Sequence, residues 1–248
     1  MKVEGAVYTL EDSQAVITGL GRNENIIKSL NNLEGYDIDE DFDLFKSVRI
    51  HDAGDFNSIP STNKNKFNIF IGKNHLSTYS FIKSFNSTDF GVVWFDAHSD
   101  LKEQHPGTFG VAMSNTTVLR RLLDFFPKEN IVLFGIRSCS KEEANFIKNN
   151  NLKVAYDEEQ LKEFLKTKSK WYLSIDIDIL DPVFAPEVDY PEPDGYSHFE
   201  IIEVLKSIFE STDVFAVDMV EVMSKSPDLT SLHASKIIHK CLTFKFKD

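Results

Sequence analysis

Three short segments set acids and imidazoles at the ends of apolar runs. Trp94-Phe95-Asp96-Ala97-His98-Ser99-Asp100 follows Gly91-Val92-Val93. Asp96 and His98 are two residues apart, so on an extended backbone both point to one side, with Asp100 on the loop beyond. In Ser174-Ile175-Asp176-Ile177-Asp178-Ile179-Leu180-Asp181-Pro182, Asp176 and Asp178 share one face and the isoleucines take the other. Asp218-Met219-Val220-Glu221-Val222 ends a third apolar run. Burying an isolated carboxylate costs several kcal/mol, and a like-charged neighbour raises that cost. Two divalent cations carry four positive charges, which matches Asp96, Asp100, Asp176 and Asp178. Neutral imidazoles from His98 and one further histidine complete the shells. Oxygen-rich ligation with a minority of nitrogen suits Mn²⁺ better than a thiolate-preferring metal. Either motif alone is weak evidence, since a DxD often sits in a loop or a helix cap. A structural cation site is the plainer alternative, but it seldom needs so many ligands.

The elements that must position these residues alternate along the chain. Strands are expected at Ala15–Thr18, Asn68–Ile71, Gly91–Phe95, Ile131–Phe134, Lys153–Ala155, Trp171–Asp178 and Val214–Met219. Several are apolar on successive residues, as strands covered on both faces of a parallel sheet should be. Helical periodicity marks Thr116–Phe126, Lys141–Asn149, Glu158–Lys166, Phe199–Phe209 and Ala234–Leu242. Ser140 with Glu143 forms a capping-box pattern. This alternation predicts a single α/β domain over residues 1–248. Ligands of such sheets sit beyond the carboxyl ends of the strands. Ser61–Asn68 reads as a polar loop, and the acidic stretch Gly21–Asp43 carries no clear pattern.

Composition narrows the function classes. The 248 residues are 42% hydrophobic and 27% charged, which excludes disordered and collagen-like chains. The net charge of −12 repels phosphate backbones, so nucleic acid is not an expected partner. No apolar run approaches the ~18–20 residues that span a bilayer, so no membrane partner is expected. The opening MKVEGAVYTL has charges where a signal peptide needs an apolar stretch. Cys139 and Cys241 form no CxxC pair, and a cytoplasmic protein without disulfides is expected.

The motifs resemble those of the ureohydrolases, the arginase and agmatinase family. DAHSD and SIDIDILDP are similar to its DAHxD and SxDxDxxDP signatures. HDAGD (51–55), GIRSCSKEE (135–143), PEPDGYS (191–197) and DMVEV (218–222) resemble four further segments in the family's order. The likeness covers most of the chain from His51 onward. It implies an arginase-like three-layer α/β/α fold with a parallel sheet of about eight strands. It also implies two Mn²⁺ per chain. Asp96, Asp100, Asp176 and His75 would bind one ion, and Asp96, His98, Asp176 and Asp178 the other. Taken alone, His75 would be an ordinary structural histidine. Glu221 corresponds to the acid that pairs with the substrate's guanidinium; its plain alternative is a salt-bridged strand-end carboxylate. Hydroxide activated by the metals would attack a guanidino or amidino carbon, with Asp100 relaying a proton to the departing amine. Arginine- or agmatine-like substrates would yield urea. A trimer or hexamer is the assembly that the likeness implies.

The chain also departs from the family pattern. Asn74 replaces the acid before His75, and Lys73 a small residue. Glu187, Asp194 and Met223-Ser224 replace a glycine, a glycine and Asn-Pro. Asn115 falls where a proton-shuttling histidine is usual, and Asn cannot carry a proton at neutral pH. His105, nine residues before Ser114, is the nearby substitute, although its ordinary reading is a solvated loop residue. These changes keep a second function class open: a catalytically impaired relative that binds metal and a ligand for regulation or structure. A dinuclear phosphoesterase ranks last, because Glu221 would repel phosphate and no phosphate-binding glycine loop is present.

Overall fold

Gly91-Val92-Val93-Trp94-Phe95 is buried throughout: Val92 and Trp94 face one core, Val93 and Phe95 the other. This two-sided burial recurs across an all-parallel sheet in the computed structural model, which describes residues 9, 11–57, 62, 65–104 and 113–247. The first half of the chain runs β1 (Ala15–Leu20), α1 (Glu24–Asn31), β2 (Tyr36–Asp37), β3 (Phe42–Asp43), α2 (Leu44–Ser47), β4 (Ile50–Asp55), β5 (Phe67–Gly72), α3 (Leu76–Ser84) and β6 (Gly91–Phe95). It continues with α4 (Val118–Leu122), β7 (Ile131–Phe134), α5 (Lys141–Asn150), β8 (Lys153–Ala155) and α6 (Glu158–Leu165). The last elements are β9 (Lys170–Asp176), α7 (His198–Ser211), β10 (Asp213–Val220) and α8 (Leu229–Phe246). The eight-stranded sheet has the order β4-β1-β5-β10-β9-β6-β7-β8, and β2-β3 form a separate antiparallel ribbon. Residues of α1, α6, α7 and α8 build one core cluster, and residues of α3, α4 and α5 join the other. The architecture is the expected α/β/α sandwich. No helix among the described residues is long and apolar enough to cross a membrane.

Several boundaries differ from expectation, each for a physical reason. β9 stops at Asp176, not Asp178, because the Asp176 carboxylate accepts the Asp178 amide at 2.9 Å and turns Ile177–Ile179 into a 3₁₀ segment. The helix expected over Thr116–Phe126 is a 3₁₀ turn, Asn115–Thr117, followed by only five helical residues, Val118–Leu122. β4 is an edge strand with half-exposed polar residues, so no apolar run announces it. The acidic stretch without a pattern holds α1 and the ribbon. α3 has no sequence expectation, since in Leu76-Ser77-Thr78-Tyr79-Ser80 only Leu76 is a strong helix former. It forms by burying Phe81 and Ile82 against the sheet.

Candidate metal centre

Ile71, Met219, Ile175 and Phe95 form one row across β5, β10, β9 and β6. The chain therefore leaves four neighbouring strands at one level, and the residues that follow gather beyond their carboxyl ends. β5 ends at Gly72, where an added Cβ would lie 2.5 Å from Ser77 Cβ and 2.9 Å from Val220 Cγ1. That close turn sets His75 at the start of α3, fully buried. Trp94 lies flat against the imidazole, 3.9 Å between ring centres, and donates Nε1–H to Asp96 Oδ2 at 3.1 Å.

The far side of His75 is also fixed. Nε2 lies 3.0 Å from Ser174 Oγ, which donates to Asp218 Oδ1 at 2.9 Å, while the Tyr172 hydroxyl donates to Asp218 Oδ2 at 2.6 Å. Nδ1 therefore faces the carboxylates. Asp96 Oδ2, Asp176 Oδ2 and Asp100 Oδ2 lie 2.9, 3.3 and 3.4 Å from it. Yet Nδ1 is buried with no aligned hydrogen-bond partner. An imidazole nitrogen oriented from behind and ringed by carboxylate oxygens is a donor set for a divalent cation.

A second such group shares Asp96. His98 Nδ1 lies 2.8 Å from Asp178 Oδ2 and 3.6 Å from Asp96 Oδ1. His75, Asp96 and Asp176 form one set whose donor atoms all fall within 4.8 Å of one another, and Asp96, His98 and Asp178 form another. The six side chains expected to meet here do meet. The face alternation expected of each motif is replaced by tight turns. Asp96 Oδ1 accepts the His98 amide at 2.6 Å, just as Asp176 accepts that of Asp178, and Asp178 Oδ1 accepts the Ala97 amide at 3.0 Å. Each motif's first acid thereby builds its own turn.

No lysine or arginine forms an ion pair with these acids among the described residues. Burial, then the neighbouring carboxylates, push Asp100 and Asp176 far above the usual range and Asp178 above it. Asp96 is the exception: burial is outweighed by His75 and His98, which hold it low. Burial disfavours both imidazolium ions, but Asp96 lifts His75 to about 9, and Asp178 with Asp96 lifts His98 to about 11.

Glu221, just past β10, lines the same pocket, and burial raises it to about 7. Its Oε1 accepts the His75 amide at 3.2 Å. Glu221 and Asp100 have positive φ, +63° and +53°, which costs on the order of 1–3 kcal/mol at a non-glycine residue. The pocket encloses about 400 Å³ and is also lined by Lys102, Asn115, Glu143, Tyr190 and Glu192. Asn115 turns its Oδ1 back onto the Thr116 amide at 3.1 Å. Lys73 is exposed and Asn74 half-buried. His105 lies outside the described residues.

Three contributors had no role assigned from sequence. Ser174 and Asp218 orient His75 from behind. Glu143 accepts Ser99 Oγ–H at 2.8 Å and the Leu101 amide at 3.1 Å, gripping the loop on both sides of Asp100. Glu143 also completes the helix cap expected of it, accepting the Ser140 amide at 2.8 Å. Asp218 carried a signal, lying three residues before Glu221 on the same apolar strand.

Comparison with known proteins identifies the family. An agmatinase of Halalkalibacterium halodurans is 33% identical over 186 residues, covering 71% of this chain and 63% of the relative. The chain thus spans a little under two thirds of that relative's length. An agmatinase of Pyrococcus horikoshii is 29% identical over 230 residues, covering 84% and 78%. The crystal structure of the agmatine ureohydrolase of Thermoplasma volcanium superposes with a TM-score of 0.82 at 25% identity, covering 99% of this chain and 94% of that one. The arginase family profile matches residues 23–243, spanning every strand end described above except that of β1, and the chain belongs to the arginase family.

Proposed function

We propose that this protein is a metal-dependent hydrolase cleaving a linear C–N bond of a guanidino or amidino compound. The observation that carries the reading is the convergence of His75, Asp96, His98, Asp100, Asp176 and Asp178 without a lysine or arginine partner among the described residues. His75, Asp96, Asp100 and Asp176 would hold one ion; Asp96, His98, Asp176 and Asp178 the other. The donors are mostly carboxylate oxygens, which favours Mn²⁺. When bound, such a pair supplies Lewis acidity and makes water nucleophilic at neutral pH.

The chain's own residues account for the rest. Glu221 presents a carboxylate to the guanidinium, and its left-handed backbone aims it into the pocket. A charge-assisted contact of this kind binds a planar cation with defined orientation. Asp100, at the same strand end, would relay a proton to the departing amine. Asn115 hydrogen-bonds within the pocket and carries no proton. For R–NH–C(NH₂)₂⁺ the balance is one water consumed, urea released and R–NH₃⁺ formed. Glu143 and Glu192 line the same cavity, with Lys102 the one lysine or arginine among the described lining residues, which favours a cationic substrate. The relatives described as agmatinases support agmatine itself. Strand–helix alternation supports one domain, two cysteines without a CxxC pairing support a cytoplasmic location, and family likeness supports assembly as a trimer or hexamer.

The test is metal analysis of protein loaded with Mn²⁺ and dialysed, coupled to urea and ammonia assays over arginine, agmatine, guanidinobutyrate and formimidoylglutamate. Close to two ions per chain and turnover of one compound are expected. Retention of no metal would refute the reading. Metal without turnover, matched by Asp178→Ala, would favour a ligand-binding relative.

A further inference from the structure

Glu221 has an unfavourable backbone conformation, and what enforces it comes from the other end of the sequence. Asn23, the N-cap of α1, donates both Nδ2 hydrogens to carbonyls just after Glu221: Val222 O at 2.9 Å and Ser224 O at 2.7 Å. Asn25, buried in the first turn of α1, donates to Ser224 O at 2.9 Å. On the other side the Met223 amide donates to Glu187 O at 3.0 Å. Residues 222–224 are thus gripped from two directions, and Glu221 is held at φ +63° between them and β10.

We propose that Asn23, with Asn25 behind it, is the positioning residue that aims Glu221 at the substrate. The inference rests on the reading of Glu221 as the guanidinium acceptor. The same asparagine performs two separable tasks. Its Oδ1 accepts the Asn25 amide at 3.0 Å and caps α1, while its Nδ2 clamps the strand-end loop. Capping needs only an acceptor, so serine or aspartate would serve equally well there. Clamping two carbonyls needs two hydrogens on one atom, which neither serine nor aspartate supplies. The clamp is also local to this chain's sequence: Met223 and Ser224 lend the loop no proline rigidity, so its conformation depends on partners across α1.

The separability supplies the experiment. Asn23→Ser keeps an N-cap and removes the clamp. Its metal content and melting temperature should stay close to those of the parent. Hydrogen exchange at the Met223 amide should accelerate about tenfold or more, and agmatine binding by calorimetry should weaken by about ten- to a hundredfold, with a matching rise in KM. In a Glu221→Gln background the same substitution should leave agmatine affinity unchanged, because the group it positions is already gone. A wild-type exchange rate, or faster exchange with unaltered agmatine affinity, overturns the clamp. So does an equal loss of affinity in the Glu221→Gln background. Glu221→Gln with wild-type agmatine affinity removes instead the reading of Glu221 on which the clamp rests, and the inference falls with it. Should Asn23→Ser fold poorly, Asn23→Asp retains the cap and tests the clamp by the same measurements.

Discussion

Asp37 and Glu40, in the β2-β3 ribbon, expose as little surface as Asp96, Asp100, Asp176 and Asp178, though under a thinner cover, and they have opposite neighbours. Lys240 Nζ reaches Asp37 at 2.8 Å, and Glu40 is bridged by Lys206, also at 2.8 Å, and Lys247. Burial pushes both acids up, and the lysines more than reverse it, leaving both below the ordinary range. At the strand ends the only positive partners among the described residues are two imidazoles, and Asp100, Asp176 and Asp178 are raised. Burial therefore does not distinguish a functional acid from a structural one; the source of the compensating charge does. The ribbon acids are neutralised by the chain and fasten it to α7 and α8. The strand-end acids are left to be neutralised by something the chain does not encode.

The sharpest way to break this contrast is to neutralise one acid of each kind. Asp176→Asn should abolish retention of at least one ion and lower guanidine hydrolysis by at least about a hundredfold, measured by metal analysis and urea release. The metal-free variant should nevertheless melt no lower than the metal-free parent, since it has lost a carboxyl whose ionisation burial and its acidic neighbours oppose. Asp37→Asn should do the reverse. It leaves Lys240 short of a partner and should cost about 2 kcal/mol in denaturant unfolding, with activity per folded molecule within about twofold. Equal destabilisation by the two substitutions would erase the distinction.

A third test uses pH. Glu221 rises from 4.5 to about 7 in the folded state, and Asp176 rises from 3.8. Groups raised on folding stabilise fully below their unfolded values, and that contribution is lost as pH climbs through the folded ones. His75, raised from 6.5 to about 9, acts in the same direction at higher pH. The lowered Asp37 and Glu40 contribute above their unfolded values of 3.8 and 4.5 and lose that only on acidification. Burial lowers His198 and His239 to about 4, and they pull the other way between pH ~5 and pH ~8. The contribution of the strand ends is therefore read from the metal: added Mn²⁺ should raise the melting temperature more at pH ~8 than at pH ~5. An equal rise at both pH values would count against an uncompensated cluster. The smallest effect belongs to Lys206→Ala. Lys206 is one-third exposed and Lys247 still serves Glu40, so a loss below about 1 kcal/mol is expected in the same unfolding assay.

The strand ends were readable because apolar runs such as Gly91–Phe95 announce buried strands and Asp96 or Asp176 breaks them abruptly. Five converging side chains could be named from two motifs, and the sixth, His75, only through the family likeness. What stayed hidden depends on contacts distant in sequence. Asn23 looks like a helix cap in a featureless acidic stretch, and nothing local reveals that it grips residues about 200 positions away. Glu143 looked complete as half of a capping box, so its second task at Ser99 and Leu101 left no trace. β4 and α3 form through packing in spite of weak local pattern. The turn at Asp178 was misjudged because alternation of Asp and Ile mimics a strand, while the Asp176 carboxylate competes successfully for the backbone amide.

Trp94 gives the centre a spectroscopic voice. It is one of only two indoles in the chain, stacked on one side chain of the cluster and hydrogen-bonded to another. The other, Trp171, sits near the opposite end of β9 and donates to main-chain oxygens of Leu165 and Lys168. Filling of the pocket should consequently alter the emission of a single native fluorophore while its twin stays silent, so that occupancy can be followed in real time without a label.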